Sequence, residues 1–449
     1  VIAGGMGMQR PHGTNPAWRG PIETGARREG GARLPRSNPV AGLRTIMKSG
    51  HPPTLLAAFL YFDFCFAIWV LNGAMAPFLT KAFSLTDSQK GLMISLPTLA
   101  GALMRFPLGV ISQYIGRKNA ALIEMSIIIL AMLFGWLFIS SFSDVLIMGI
   151  MLGIAGASFG VALSLGSGWF PTEYKGLAMG IAGAGNSGTV VALLAAPPLA
   201  QAYGWQNVYA FAALFMLIPL VVMIVLAKEP PDQEHQSLKE HVACLWELDG
   251  WAFNLIYIIT FGGFIGLSTF LPSFFNSQYG VSGVVAAQLT VLAAVMGSAI
   301  RIVGGYVADR LGGILVLSVV LMFVIGIFLL LTQSPSIVIT TILFMACFAV
   351  LGMGNGALFQ LVPHRWPNNT AVASSMIGEI GALGGAILPN VMFQSRSMTG
   401  SFGMGFVIYA VITAVVLGVL MIMRRRWAGT WVTAAGKPTV IRKLPAMAH

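Results

Sequence analysis

The chain predicts an all-α polytopic membrane protein of twelve transmembrane helices arranged as two pseudo-symmetric six-helix bundles. Of its 449 residues, 56% are hydrophobic and only 9% are charged. The apolar residues gather into twelve stretches of about 20 to 27, the length that crosses a hydrocarbon layer of roughly 30 Å at about 1.5 Å per helical residue. A transmembrane barrel would show shorter segments of alternating polarity. A third observation divides the chain in two. Arg105 and Arg301 both lie inside such stretches, and Gly109 and Gly116 follow the first at the spacing with which Gly305 and Gly312 follow the second. Pro171 and Pro367 repeat at the same offset, as expected of an internal duplication.

Residues 1–50 are rich in Gly, Pro and Arg, show no helical period, and are expected to form a disordered basic tail. The first bundle is expected over 51–227, with spans centred near Trp69, Ala102, Leu130, Gly156, Ser187 and Phe215. The segment 228–249, which includes E-P-P-D-Q-E-H-Q-S-L-K-E-H, is the longest and most charged internal loop and divides the spans six and six. The second bundle follows over 250–426, centred near Phe264, Met296, Val320, Phe348, Leu383 and Val415. Arg424, Arg425 and Arg426 stop its last helix, leaving a basic tail over 427–449.

A net charge of +11 in a soluble protein would suggest nucleic acid, but the placement of the basic residues points to the membrane instead. They collect in the tails and the even-numbered loops, while the odd-numbered loops carry Lys81, Lys90 and Arg396. The positive-inside rule then puts both termini in the cytoplasm and the protein in the cytoplasmic membrane, with the terminal arginines against anionic lipid headgroups. Cys65, Cys244 and Cys347 have neither disulfide nor zinc spacing, and His12, His51, His235, His241, His364 and His449 read as tail or loop residues. No cofactor or metal is expected. Neither a nucleophile and base pair nor a phosphate-binding loop is visible, which argues against an enzyme. Two bundles already enclose a pathway, so a monomer suffices.

The intramembrane polar residues carry the functional argument. A guanidinium at the centre of a span costs about 2.5–3.5 kcal/mol even on lenient insertion scales, and it cannot shed its proton. Two half-bundles related by an axis along the membrane normal hold substrate near the midplane, where Arg105 and Arg301 would face each other. The fifth span reads G-I-A-G-A-G-N-S-G from Gly180 and the eleventh G-E-I-G-A-L-G-G from Gly378. Close helix packing accounts for any one of these glycines as well as a site does. Asn186 is harder to assign to packing, because a buried amide must find partners. Three acids also lie in spans. Glu124, just past Lys118, reads as structural, whereas Asp63 and Glu379 are each candidates to bind a proton.

The segment G-G-Y-V-A-D-R-L-G-G from Gly304 resembles the signature loop of the major facilitator superfamily. G-V-I-S-Q-Y-I-G-R-K from Gly109 resembles its first-half copy, with Gln113 where an acid is usual. That resemblance implies gating roles for Gly109, Gly116, Arg117, Asp309 and Arg310. Over about residues 54–424 the chain more specifically resembles the nitrate/nitrite porter family. The runs ending G-A-G-N-S-G and G-A-L-G-G look like that family's two signatures, and Y-I-I-T-F-G-G-F-I-G and G-A-S-F-G look like its aromatic segments. The likeness implies a substrate site of Arg105, Arg301, Asn186, Tyr257, Phe261, Phe159, Gly183, Gly185, Gly381 and Gly384. It also implies nitrate and nitrite as substrates, moved by anion exchange or with protons. Guanidinium forks suit flat oxyanions on chemical grounds alone. A facilitator of another small anion, such as an oxalate/formate exchanger, and a non-transporting anion sensor remain alternatives.

Arg105→Lys and Arg301→Lys are each expected to abolish transport in vesicles, because a point charge does not replace a planar fork. Near-normal uptake by either variant would count against the two-arginine site.

Overall fold

A computed structural model describes residues 49–231, 243–366 and 370–437. The disordered tail expected over 1–50 falls almost wholly outside the described residues. Among the described residues, twelve helices are long and apolar enough to cross a membrane. Several are interrupted. Helix α1 runs as Pro52–Trp69, Leu71–Ala74 and Ala76–Phe83, α2 is Asp87–Ile115, α3 is Arg117–Phe138, and α4 is Phe142–Gly156 continued by Ser158–Ser167. Helix α5 is Thr172–Gly183, a 3₁₀ turn at Ala184–Ser187, then Gly188–Tyr203, and α6 is Trp205–Leu226. In the second half, α7 is Leu248–Tyr257, a π turn at Ile258–Gly262, then Gly263–Tyr279. It is followed by α8 (Gly283–Leu311), α9 (Gly313–Leu331) and α10 (Ile337–Arg365). Helix α11 is Thr370–Ala382 and Gly384–Thr399, and α12 is Gly403–Trp427.

The duplication governs how the halves meet. Helix α2 packs on α11 and its repeat α8 packs on α5, so each arginine-bearing helix lies against the glycine-rich helix of the other half. Lipid offers no hydrophobic drive between helices, so such contacts rest on close packing of small residues and on hydrogen bonds. At the N-terminal end of α2 the halves are also clasped by polar groups. Asp87 pairs with Arg396 at 3.6 Å, and the Ser88 hydroxyl reaches Gln394 and Ser397.

At the other end of α2, Gly116 turns the chain with φ of +89°, a conformation that disfavours a side chain. The new helix α3 then exposes unpaired N–H groups. The Glu229 carboxylate accepts from the backbone N–H groups of Arg117 and Lys118, both at 2.8 Å. In return Lys118 Nζ donates to the carbonyls of Ile224 and Ala227 at the end of α6. The second half repeats the device with other chemistry: the Ala435 carbonyl accepts from the Leu315 N–H at the start of α9. The segment from 427, expected as a basic tail, is therefore folded at least to Lys437. Trp427 and Trp431 hold it against Phe253 of α7, and Trp427 donates to Asp249.

His364, expected in a loop, lies in the last turn of α10. The helix continues past Pro363 because Arg365 is anchored by Glu247 and Asp249 at the start of α7.

Glu229→Ala removes the cap of α3 and is expected to destabilise the protein by about 0.5–2 kcal/mol. Thermal unfolding in detergent checks this, and an unchanged melting temperature would exclude the capping role.

Candidate functional site

The breaks in α4, α5, α7 and α11 fall in mid-span, where an interrupted helix frees backbone groups in an apolar medium. Arg105 is 3% exposed and uses such groups. Its Nε donates to the Gly156 carbonyl at the α4 break, 2.9 Å away. Its Nη1 donates to the Gly378 carbonyl of α11 at 2.6 Å, so a single side chain spans both halves. Nη2 has no partner.

Aromatic faces surround this charge. The guanidinium carbon lies 5.1 Å from the Trp69 and Phe159 ring centres and 5.7 Å from that of Phe261, distances at which cation–π attraction operates. Phe159 and Phe261 come from opposite halves, with centroids 6.4 Å apart and planes inclined by 34°. Tyr257 stacks on Phe261 at 4.8 Å and 8°, the two residues straddling the π turn. Such turns are frequent at functional sites because the extra residue re-aims neighbouring side chains.

Arg301 completes the cluster from α8. It lies 6.0 Å from the Phe359 ring, which meets Tyr257 edge-on. The Tyr257 hydroxyl sits within the electrostatic reach of both arginines. Arg301 and that hydroxyl approach one another, but neither the hydroxyl nor Arg301 Nη1, both buried, meets a partner in full hydrogen-bonding geometry. Helix α10 sets the position of Arg301: Gly356 lies so close to the Arg301 carbonyl that a methyl there would overlap it.

Asn186 is buried in the 3₁₀ turn of α5, which faces α8. Asp63 adjoins that turn and accepts from the Ser187 hydroxyl at 2.6 Å. Glu379 is buried beside Arg105, and its Oε1 accepts from Ser375 at 3.1 Å. Glu124 is deeply buried away from the arginines and takes a hydrogen bond from Tyr61.

The glycines expected to line the site contribute indirectly. A methyl at Gly381 would overlap the Tyr257 ring, and one at Gly384 would overlap the Ile258 carbonyl, so both let α11 seat the π turn of α7. Gly185 likewise meets Phe62 of α1, and Gly183 is in ordinary contact distance of Leu163. The residues expected to gate the pathway sit apart from the arginine cluster. Arg117 and Gly116 engage Glu229, Asp309 faces His364, Arg310 stacks on Tyr306, and Gly109 faces open space. Trp69, Gly156, Gly378 and Phe359 belong to the cluster and were not expected there. Gly378 alone left a sequence signal, as the first residue of the α11 glycine run.

Residues 57–389 match the Major Facilitator Superfamily. A nitrite extrusion protein of Bacillus subtilis is 28% identical over 343 residues, covering 76% of this chain and 86% of that one. A probable nitrate/nitrite antiporter, NarK1, of Thermus thermophilus is 29% identical, covering 79% and 88%. A probable nitrate transporter, NarT, of Staphylococcus epidermidis is 28% identical, covering 78% and 91%. Among solved structures, a bacterial homolog of the human lysosomal transporter Spinster, in an inward-facing and occupied conformation, superposes with a TM-score of 0.64 at 18% identity. It covers 83% of this chain and 96% of its own, and shares the fold. A match across most of the spans and a shared twelve-helix fold mean that this chain belongs to the Major Facilitator Superfamily, whose members are multi-pass membrane transporters rather than enzymes.

Proposed function

We propose that this protein is a secondary transporter that moves nitrate and nitrite across the cytoplasmic membrane by alternating access. The observation that carries this reading is a set of buried donors that lack acceptors, Arg105 Nη2, Arg301 Nη1 and the Tyr257 hydroxyl, among aromatic rings from both halves. A buried donor without an acceptor is costly, on the order of 1–3 kcal/mol and more when charged. An anion with several coplanar oxygens relieves all three at once, and the flanking Phe159 and Phe261 faces suit a flat ion better than a tetrahedral one. The names of the relatives support the same substrates.

Arg105 ties Gly156 of one half to Gly378 of the other, so substrate bound between the arginines would share that bridge and favour joint movement of the halves. Either of two couplings fits. In exchange, one anion replaces another between the arginines and no titrating group is needed. In symport, Asp63 or Glu379 takes up a proton with the anion. The basic tails and even-numbered loops support a cytoplasmic location for both termini, where the exposed Arg425 and Arg426 would meet anionic lipid headgroups. A monomer is sufficient for this cycle.

Nitrate uptake into proteoliposomes, with and without internal nitrite and with and without an inward proton gradient, tests the proposal. Flux is expected under at least one driving condition and is expected to resist competition by oxalate and formate. Dependence on internal nitrite establishes exchange, whereas proton-driven flux into empty vesicles establishes symport. Absence of flux, or block by oxalate, would overturn the substrate assignment.

A further inference from the structure

The two arginines are related by duplication, yet the glycine-rich helix that each meets differs in the charge it carries. Gly378, whose carbonyl binds Arg105, repeats Gly180, and the next residue is Glu379 in one copy and Ile181 in the other. Only Arg105 therefore receives an acid from the helix that its half packs against. The Glu379 carboxylate is buried, pinned by Ser375, and lies in the field of the Arg105 guanidinium. Ser375 in turn abuts Gly160, next to Phe159, so the acid sits at the seam where α11 meets α2 and α4. The charged or titratable groups turned toward this corner are Arg105 from α2, Tyr257 from α7 and, beyond Tyr257, Arg301 from α8. Helix α4 contributes Phe159 and Gly160, which do not titrate.

We propose that Glu379 is a built-in competitor for Arg105, and that its protonation is what couples anion binding to a proton. This inference rests on the anion-site reading above. Ionised, the carboxylate partly neutralises Arg105 and repels an incoming anion. A proton taken up on a Glu379 oxygen cancels that charge, leaves the acid hydrogen-bonded to Ser375, and frees the full charge of Arg105 for the substrate. Proton and anion then favour each other's binding by the same factor, as linkage requires. Asp63 does not offer this device, because its hydrogen-bond partner is the Ser187 hydroxyl rather than an arginine.

Isothermal titration of the full-length protein in detergent with sodium nitrate, at mildly acidic and mildly alkaline pH, reads the coupling. The unaltered protein is expected to bind nitrate more tightly at acidic than at alkaline pH. Glu379→Gln, which mimics the protonated acid, is expected to bind at alkaline pH at least about fivefold more tightly than the unaltered protein and to lose the pH dependence. Glu379→Ala should do the same without a group for Ser375 to hold, and a melting curve for each variant verifies the fold. In proteoliposomes, nitrate uptake by Glu379→Gln should cease to follow the proton gradient. Variants that match the unaltered affinity at alkaline pH, or keep its pH dependence, would overturn the role of Glu379. An unaltered protein that binds no nitrate at either pH would instead overturn the anion site itself.

Discussion

The central constraint on this molecule is the burial of two guanidinium groups in a bundle that must also sit in lipid. Arginine keeps its charge in such a setting, so the fold has to supply acceptors and polarisable surfaces. For Arg105 it supplies two backbone carbonyls, Gly156 and Gly378, and three aromatic faces. A regular helix has few carbonyls to spare, because most are committed within the helix. The interruption of α4 after Gly156 thus serves the charge, and the close approach of α11 brings the second acceptor. What is left unsatisfied, one Nη2 and one Nη1 with a tyrosine hydroxyl, is the chemistry available to a ligand.

The arrangement of the halves follows from the same demand. Because α2 packs on α11 and α8 on α5, each charge is presented to the glycine-rich helix of the opposite half rather than to its own. A bond such as Arg105 to Gly378 spans the interface between the halves, and the clasp of Asp87 with Arg396 closes the same helix pair at its end. Within each half, other contacts join the ends of neighbouring helices. Glu229 and Lys118 tie α3 to the end of α6, and Ala435 ties α9 to the end of α12.

The duplication is not carried through to function. Copies of the arginine, the glycine run and the helix-joining turn persist in both halves, but their neighbours diverge. Arg105 meets two carbonyls, an acid and three rings, whereas Arg301 meets Phe359 and the Tyr257 hydroxyl. The 3₁₀ turn of α5 likewise has no counterpart at the α11 break, nor the π turn of α7 in α1.

The twelve spans, the two halves and the two arginines were legible in the sequence, because hydrophobic length, charge placement and repeat spacing are properties of the chain before it folds. The identity of Phe159, Tyr257 and Phe261 as one aromatic group was legible only through family resemblance, since a ring in an apolar span gives no sign of which way it faces. Tertiary structure alone decided the rest. Where α4, α5, α7 and α11 break depends on what packs against them, so local propensity does not reveal it. That Gly381 and Gly384 seat a neighbouring helix rather than line the site depends on interhelical distance. The partners of Arg105, two backbone carbonyls and a tryptophan, carry no side-chain signature for an arginine site and exist only where three helices converge. Linear order determined which charges enter the membrane, and the geometry of packing determined what each of them meets there.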